Sequence, residues 1–161
     1  MRVEELDDVK EVIFDSDIVI DSVEPGLLDA SGVGYRQLSE KNPGVIYVAI
    51  SPFGHFTEKA KEFANVPDSD LTAQAYNGYP SLIGNPYLTC KLSYPLRAGM
   101  WAAWIMAGVN AAIGALLALI ERSKSGKGQF VDIATNDALA VVNIFPYVVP
   151  FWQITIEIWD Y

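Results

Sequence analysis

One stretch of 23 residues without a charged side chain constrains the fold of this chain most. Residues 98–120 contain no Asp, Glu, Lys or Arg, and a charged turn, ERSKSGK, and a strand-like run, FVDI, follow them. A helix of this length could cross a membrane, and the basic residues after it fit the flank of such a span. The same order also fits the buried helix of a large α/β enzyme, so both folds remain open at this point.

Small residues inside the stretch bear on this choice. Ala103, Ala107, Ala111 and Ala115 recur every four residues, which places them on one face of a helix. Small side chains at this spacing let a neighbouring helix or sheet approach closely, in membranes and in soluble cores alike. The strand-like segments around the stretch favour the soluble core. A single-span membrane protein with helix 98–120 is kept as the alternative.

Charge and cysteine content exclude several classes of function. The formal net charge is −9, which argues against nucleic acid because phosphate binding needs clustered Lys and Arg. The single cysteine, Cys90, gives neither an internal disulfide nor a zinc pattern. The acidic start of the chain does not resemble a signal peptide. We therefore expect a cytoplasmic protein without a metal site, acting away from nucleic acid and membranes.

Short apolar runs alternate with helical patterns along the chain. Asp17–Asp21, Val45–Ser51 and Phe130–Ile133 are rich in β-branched residues, as buried parallel strands are. Helices are predicted over Val3–Phe14, at Leu27–Asp29 and over Tyr35–Lys41. Two more are predicted after the N-cap segments Asp68-Ser69-Asp70 and Thr135-Asn136-Asp137. This alternation indicates an α/β fold with a parallel sheet. Three strands make a small sheet, which suggests part of a larger domain.

Five segments in this order resemble a known family. They are DIVIDSVEPG, GVGYRQLSEKNPGVIYVAIS, FGHF, DSDLTAQAYNGYPSLIG and IGALLALIERSKSGKGQFVDIATNDAL. Together they are similar to the family III CoA-transferases of the CaiB/BaiF or formyl-CoA transferase type, from about Asp15 to Val142. The resemblance implies that residues 1–161 form part of a Rossmann-like parallel-sheet large domain. The family's N-terminal strands and small domain would then lie outside this sequence.

The resemblance also implies a reaction and an assembly. In the family an aspartate attacks an acyl-CoA, and the resulting anhydride becomes a CoA thioester that passes CoA to a carboxylic acid. A carboxylate is a competent nucleophile in a desolvated site that divides one acyl transfer into two steps. The CoA thioester is a substrate, so no permanently bound cofactor is expected. Two chains interlock in the family, which predicts a homo- or hetero-oligomer.

The position of the family's nucleophile is the main departure. Alignment back from IGALLALIERSKSGKG places that aspartate on Trp104, and an indole cannot form an acyl anhydride. No Asp or Glu occurs within 98–120 that a shifted alignment could use. The sequence therefore predicts a non-catalytic subunit or fragment, or a chain whose partner supplies the nucleophile. Trp104 is expected to pack in the core or to fill the former pocket.

Few other residues are candidates for a site. Asp70 matches an acidic residue of the family and is a weak catalytic candidate, although it could simply cap a helix. Ser22 and Val23 fall on the family's CoA-contacting turn and are weak candidates for CoA binding. His55 is expected to be solvated or to pack its loop. Three basic residues could meet CoA phosphates but are also typical of a solvated helix end: Arg122, Lys124 and Lys127.

Overall fold

The sheet has the predicted parallel arrangement. The computed structural model describes residues 10–63, 66, 69–80 and 96–142. Within them, strands β1 (Ile18–Asp21), β2 (Ile46–Ser51) and β3 (Phe130–Ala134) form one sheet in the order β1-β2-β3. Both pairings are parallel. The α/β class and the three strands predicted from the sequence are therefore confirmed.

The helices follow the predicted pattern, with one addition. In chain order they are α1 (Leu27–Ala30), α2 (Tyr35–Lys41), α3 (Glu58–Glu62), α4 (Asp70–Tyr76), α5 (Ala102–Ser125) and α6 (Thr135–Val142). Helix α3 was not predicted; it begins where the Thr57 hydroxyl accepts a hydrogen bond from the Ala60 N–H. Helix α5 ends at Gly126, whose φ of 72° is left-handed. The predicted helix over Val3–Phe14 lies partly outside the described residues.

Strand β2 is buried on both faces. Tyr47 and Ala49 pack with Leu38 of α2 on one face. Ile46 and Val48 pack against α5 on the other. Successive side chains of a strand point to opposite faces, so a strand between two helical layers must be apolar throughout. This arrangement explains why VIYVAIS is the clearest strand signal in the sequence.

Helix α5 approaches the sheet through its small residues. Ala103, Ala107, Ala111 and Ala118 are buried. A methyl group added to Gly114 would lie 2.7 Å from a Val131 methyl carbon, so nothing larger than glycine fits there without displacement. Ala111 and Ala118 pack against the sheet, whereas Ala103 packs with Ala73 of α4 and Leu139 of α6. The small-residue face predicted from the sequence is thus the contact with the sheet at its later residues and with two helices at its start.

The opposite face of α5 carries large apolar side chains that are exposed. They are Ile105, Val109, Ile113, Leu116, Leu117 and Ile120. Within the described part of the chain, α5 is the one helix long and apolar enough to cross a membrane, judged by length and composition. The same properties belong to a helix whose outer face is covered by further protein.

Candidate functional site

A cavity of about 790 Å³ lies beyond the carboxyl ends of β1 and β2. Ligands in open parallel α/β folds bind at this edge of the sheet, because the loops that follow the strands meet there. Ser22 and Val23, the predicted CoA-binding positions, line the cavity. Their contact with a ligand stays a prediction. Other lining residues are Glu24, Pro52, Gly54, His55 and Lys61.

The turn that carries Ser22 and Val23 is fixed by the last residue of β1. One carboxylate oxygen of Asp21 accepts a hydrogen bond from the Val23 N–H at 2.9 Å, and the other accepts one from the Tyr47 hydroxyl at 2.6 Å. Burial raises the pKa of Tyr47 far above its usual value, and the hydrogen bond to Asp21 raises it further. Tyr47 therefore remains a donor, and it joins this turn to the central strand.

A histidine and an aspartate meet in the wall of the cavity. One carboxylate oxygen of Asp132 accepts a hydrogen bond from the backbone N–H of His55 at 2.8 Å, and the other lies 3.0 Å from His55 Nδ1. The two side chains are only 16% and 21% exposed. Gly54 makes the approach possible, since its φ is +80° and an added methyl would lie 3.2 Å from Asp132 Oδ2. His55 is therefore packed in its loop, which is one of its two expected roles.

Asp70 connects α4 to the start of α5. Its side chain is 1% exposed. One carboxylate oxygen accepts the Ala103 N–H at 2.8 Å, and the other accepts Gln74 Nε2 at 2.6 Å and Arg97 Nη2 at 3.4 Å. A carboxylate that accepts the first N–H groups of a helix caps it and opposes its positive end. The capping role of Asp70 is thus visible, whereas its catalytic role stays a prediction.

Trp104 lies one residue beyond the N–H group that Asp70 binds. Its ring stacks on Trp101 with centroids 5.2 Å apart and planes 8° from parallel. Trp104 is 44% exposed and Trp101 is 55% exposed. Trp104 is therefore a surface residue of the described structure, which differs from the expectation that it packs in the core. Met100 and Trp101 have φ values of 63° and 54°, which are strained for residues with a side chain.

The two ends of α5 lie at opposite edges of the sheet. Near its carboxyl end, Arg122 Nη1 donates to Asp17 Oδ1 at 2.9 Å and to the Gly44 carbonyl oxygen at 3.0 Å. Asp17 precedes β1, so this is the amino edge of the sheet, away from the cavity. The helix therefore starts at the carboxyl edge, where Asp70 and Trp104 lie. Arg122 ties helix to sheet, and the exposed Lys124 and Lys127 fit the solvated helix end.

Comparisons with known proteins agree with this architecture. The sequence profile of CoA-transferase family III matches residues 3–148. The chain is 35% identical over 126 residues to the succinyl-CoA:(R)-benzylsuccinate CoA-transferase subunit BbsE of Thauera aromatica, with 78% of this chain and 28% of that protein covered. It is 31% identical over 131 residues to the succinyl-CoA–L-malate CoA-transferase beta subunit of Chloroflexus aurantiacus, with 81% and 30% covered.

A solved structure shows the same fold. A CaiB/BaiF family protein from Brucella suis superimposes with a TM-score of 0.77 at 29% identity, covering 93% of this chain and 37% of that one. The chain thus spans about a third of the length of these curated relatives. The matches do not favour the single-span membrane protein, and the apolar helix 98–120 corresponds to part of the fold. The chain belongs to CoA-transferase family III.

Proposed function

We propose that this chain is a non-catalytic subunit of a family III CoA-transferase, which moves CoA from an acyl-CoA to a carboxylic acid. The observation that carries the proposal is Trp104 at the position of the family's nucleophilic aspartate. An indole offers no oxygen that could form the acyl anhydride or hold the CoA thioester. The rest of the scaffold keeps the parallel sheet, the cavity and the helix that would present the nucleophile.

Asp70 does not replace the missing nucleophile in this proposal. Asp70 is next to Trp104 in space, but both of its oxygens accept short hydrogen bonds from Ala103 and Gln74. Withdrawing Asp70 for an attack on an acyl group would leave a helix N-terminus without its cap. A partner chain with an intact aspartate would therefore supply the nucleophile, and this chain would supply part of the sheet and the interface.

Two observations support a partner of the same family. Both curated relatives described above are named as subunits. The outer face of α5 exposes six large aliphatic side chains, a surface that further protein would cover favourably. We propose a hetero-oligomer with a family III chain that carries the aspartate.

The proposed substrates follow from the relatives' names. Both name succinyl-CoA, which supports a succinyl-CoA donor and a small carboxylic acid acceptor for the assembly that contains this chain. CoA would enter as a thioester substrate, without a permanently bound cofactor. The cavity beside Ser22 and Val23 would hold part of the CoA.

A reconstitution experiment tests the proposal. The chain is purified alone and together with an aspartate-bearing family III homologue from the same source, and CoA transfer from succinyl-CoA is measured together with native mass spectra. We expect no transfer by the chain alone, and transfer by a complex that contains both chains. A matched control replaces the homologue's aspartate by asparagine, which should abolish activity. Transfer by this chain alone would overturn the proposal.

A further inference from the structure

The pair formed by His55 and Asp132 holds one ring nitrogen and leaves the other available. Nδ1 is 3.0 Å from the Asp132 carboxylate, while Nε2 contacts no hydrogen-bonding group among the described residues. His55 lines the 790 Å³ cavity, whereas Asp132 lines a smaller neighbouring one, so the pair spans the wall between them. A carboxylate that accepts from Nδ1 fixes the tautomer in which Nε2 is the nitrogen exchanging a proton with its surroundings.

The orientation of the ring is fixed by more than this contact. The same carboxylate binds the backbone N–H of His55, so ring and backbone are held by one group. The Phe130 ring meets the imidazole edge-on with centroids 5.8 Å apart, and Phe56 lies at 6.4 Å. An imidazole held on one side by a carboxylate and flanked by rings is preorganised for a single task at its remaining nitrogen.

The charged groups around His55 indicate what that task is. Asp132 on β3 offsets the charge of a protonated imidazole. Lys61 of α3 lines the same cavity with its ammonium 3.2 Å from the Glu58 carboxylate, and Glu24, in the turn after β1, adds a negative charge. His55, when protonated, is then the cation of the described cavity lining that Lys61 complements. We infer that His55 binds an anionic oxygen of the ligand in this cavity, a phosphate or a carboxylate, through Nε2–H. The inference rests on the proposed function only for the identity of the ligand. The anionic oxygen would belong either to the nucleotide part of CoA or to the carboxylic acid substrate.

Binding of this kind is coupled to proton uptake. An anion stabilises the imidazolium form, so the affinity should be higher at acidic than at alkaline pH. A histidine that only packs the loop would give no such dependence on pH.

The chain has a single histidine, which makes a chemical test selective. Diethyl pyrocarbonate acylates neutral imidazole, and its reaction with the full chain is followed with and without two probes: phosphoadenosine diphosphate, the nucleotide part of CoA, and succinate. Protection by the nucleotide alone assigns the contact to CoA phosphate, and protection by succinate alone assigns it to a carboxylate. Absence of protection by both probes at saturating concentration would overturn the inference.

Probe binding by a His55 variant distinguishes a direct contact with the imidazole from mere shielding of the ring against the reagent. For the protecting probe, His55→Gln should weaken binding about tenfold at acidic pH and less at alkaline pH. Lys124→Ala, an exposed charge change at the opposite edge of the sheet, should leave both affinities unchanged. Equal affinities of His55→Gln and the unmodified chain at both pH values would overturn the inference. None of these readouts requires CoA transfer, so they stand whether or not a catalytic partner exists.

Discussion

Replacing Asp70 by alanine should destabilise the fold more than any exposed carboxylate replacement. The change removes the acceptor for the Ala103 N–H at 2.8 Å and for Gln74 Nε2 at 2.6 Å. Hydrogen bonds to a charged group contribute about 1.5–3 kcal/mol each, so the two together contribute about 3 kcal/mol at the lower bound. The ion pair between Arg97 and Asp70 adds little to this sum, because its N···O distance is long, at 3.4 Å, and the Arg97 side chain is 44% exposed.

Chemical unfolding monitored by tryptophan fluorescence measures this effect, because Trp101 and Trp104 begin the helix that Asp70 caps. We expect the free energy of unfolding to fall by about 3 kcal/mol for Asp70→Ala. Asp70→Asn, which keeps one acceptor oxygen, should lose about half as much. Glu58→Ala is the matched control, since Glu58 also lies in the first turn of a helix but its side chain is 91% exposed. A loss of less than about 1 kcal/mol for Asp70→Ala would refute the capping role.

Three further tests of the packing use five substitutions. Tyr47→Phe should cost about 1–2 kcal/mol near neutral pH, because Asp21 loses its donor. The pKa of Tyr47 is higher in the folded than in the unfolded chain, so the stabilisation by its hydroxyl is complete below about pH 10 and is lost as the pH rises further. The difference in the free energy of unfolding between the unmodified chain and Tyr47→Phe should therefore decrease above about pH 10, which denaturation at a series of pH values measures. Gly128→Ala should cost about 3 kcal/mol or prevent folding, since a methyl would lie 1.8 Å from the Val45 carbonyl oxygen. Gly108→Ala, where the added methyl meets nothing within 4 Å, should instead stabilise α5 by about 0.5–1 kcal/mol. Equal melting temperatures of the Gly128→Ala and Gly108→Ala variants would contradict this packing. Arg122→Ala should cost about 1–2 kcal/mol and Lys124→Ala nearly nothing, and equal melting temperatures of these two variants would argue against the contact between Arg122 and Asp17.

The secondary structure could be predicted because its signals are local. Strand β2 is apolar from Ile46 to Ile50, and Ser69 caps α4 by accepting the Thr72 N–H, as its position before the helix predicts. The parallel sheet also predicts where the cavity lies, since strand ends meet at one edge. The short helix α3 was missed because five residues with a single capping threonine give little periodicity.

The interior of the site could not be predicted because its contacts join distant parts of the chain. His55 and Asp132 are 77 residues apart, and Tyr47 and Asp21 are 26 apart. A single sequence carries no signal for either pair, and each residue has an ordinary alternative in its own segment. The left-handed backbone at Trp101 is similarly hidden, because a tryptophan gives no reason to expect a positive φ.

The central claim is that Trp104 makes this chain non-catalytic within a working transferase. The most direct measurement is intact mass spectrometry of each chain after the complex is incubated with succinyl-CoA and quenched, since the family's mechanism leaves CoA covalently attached to the nucleophile. The proposal predicts that the aspartate-bearing partner gains the mass of CoA less one water, as a thioester requires, and that this chain gains none. A CoA adduct on this chain would contradict it and would point to a nucleophile other than the residue at position 104.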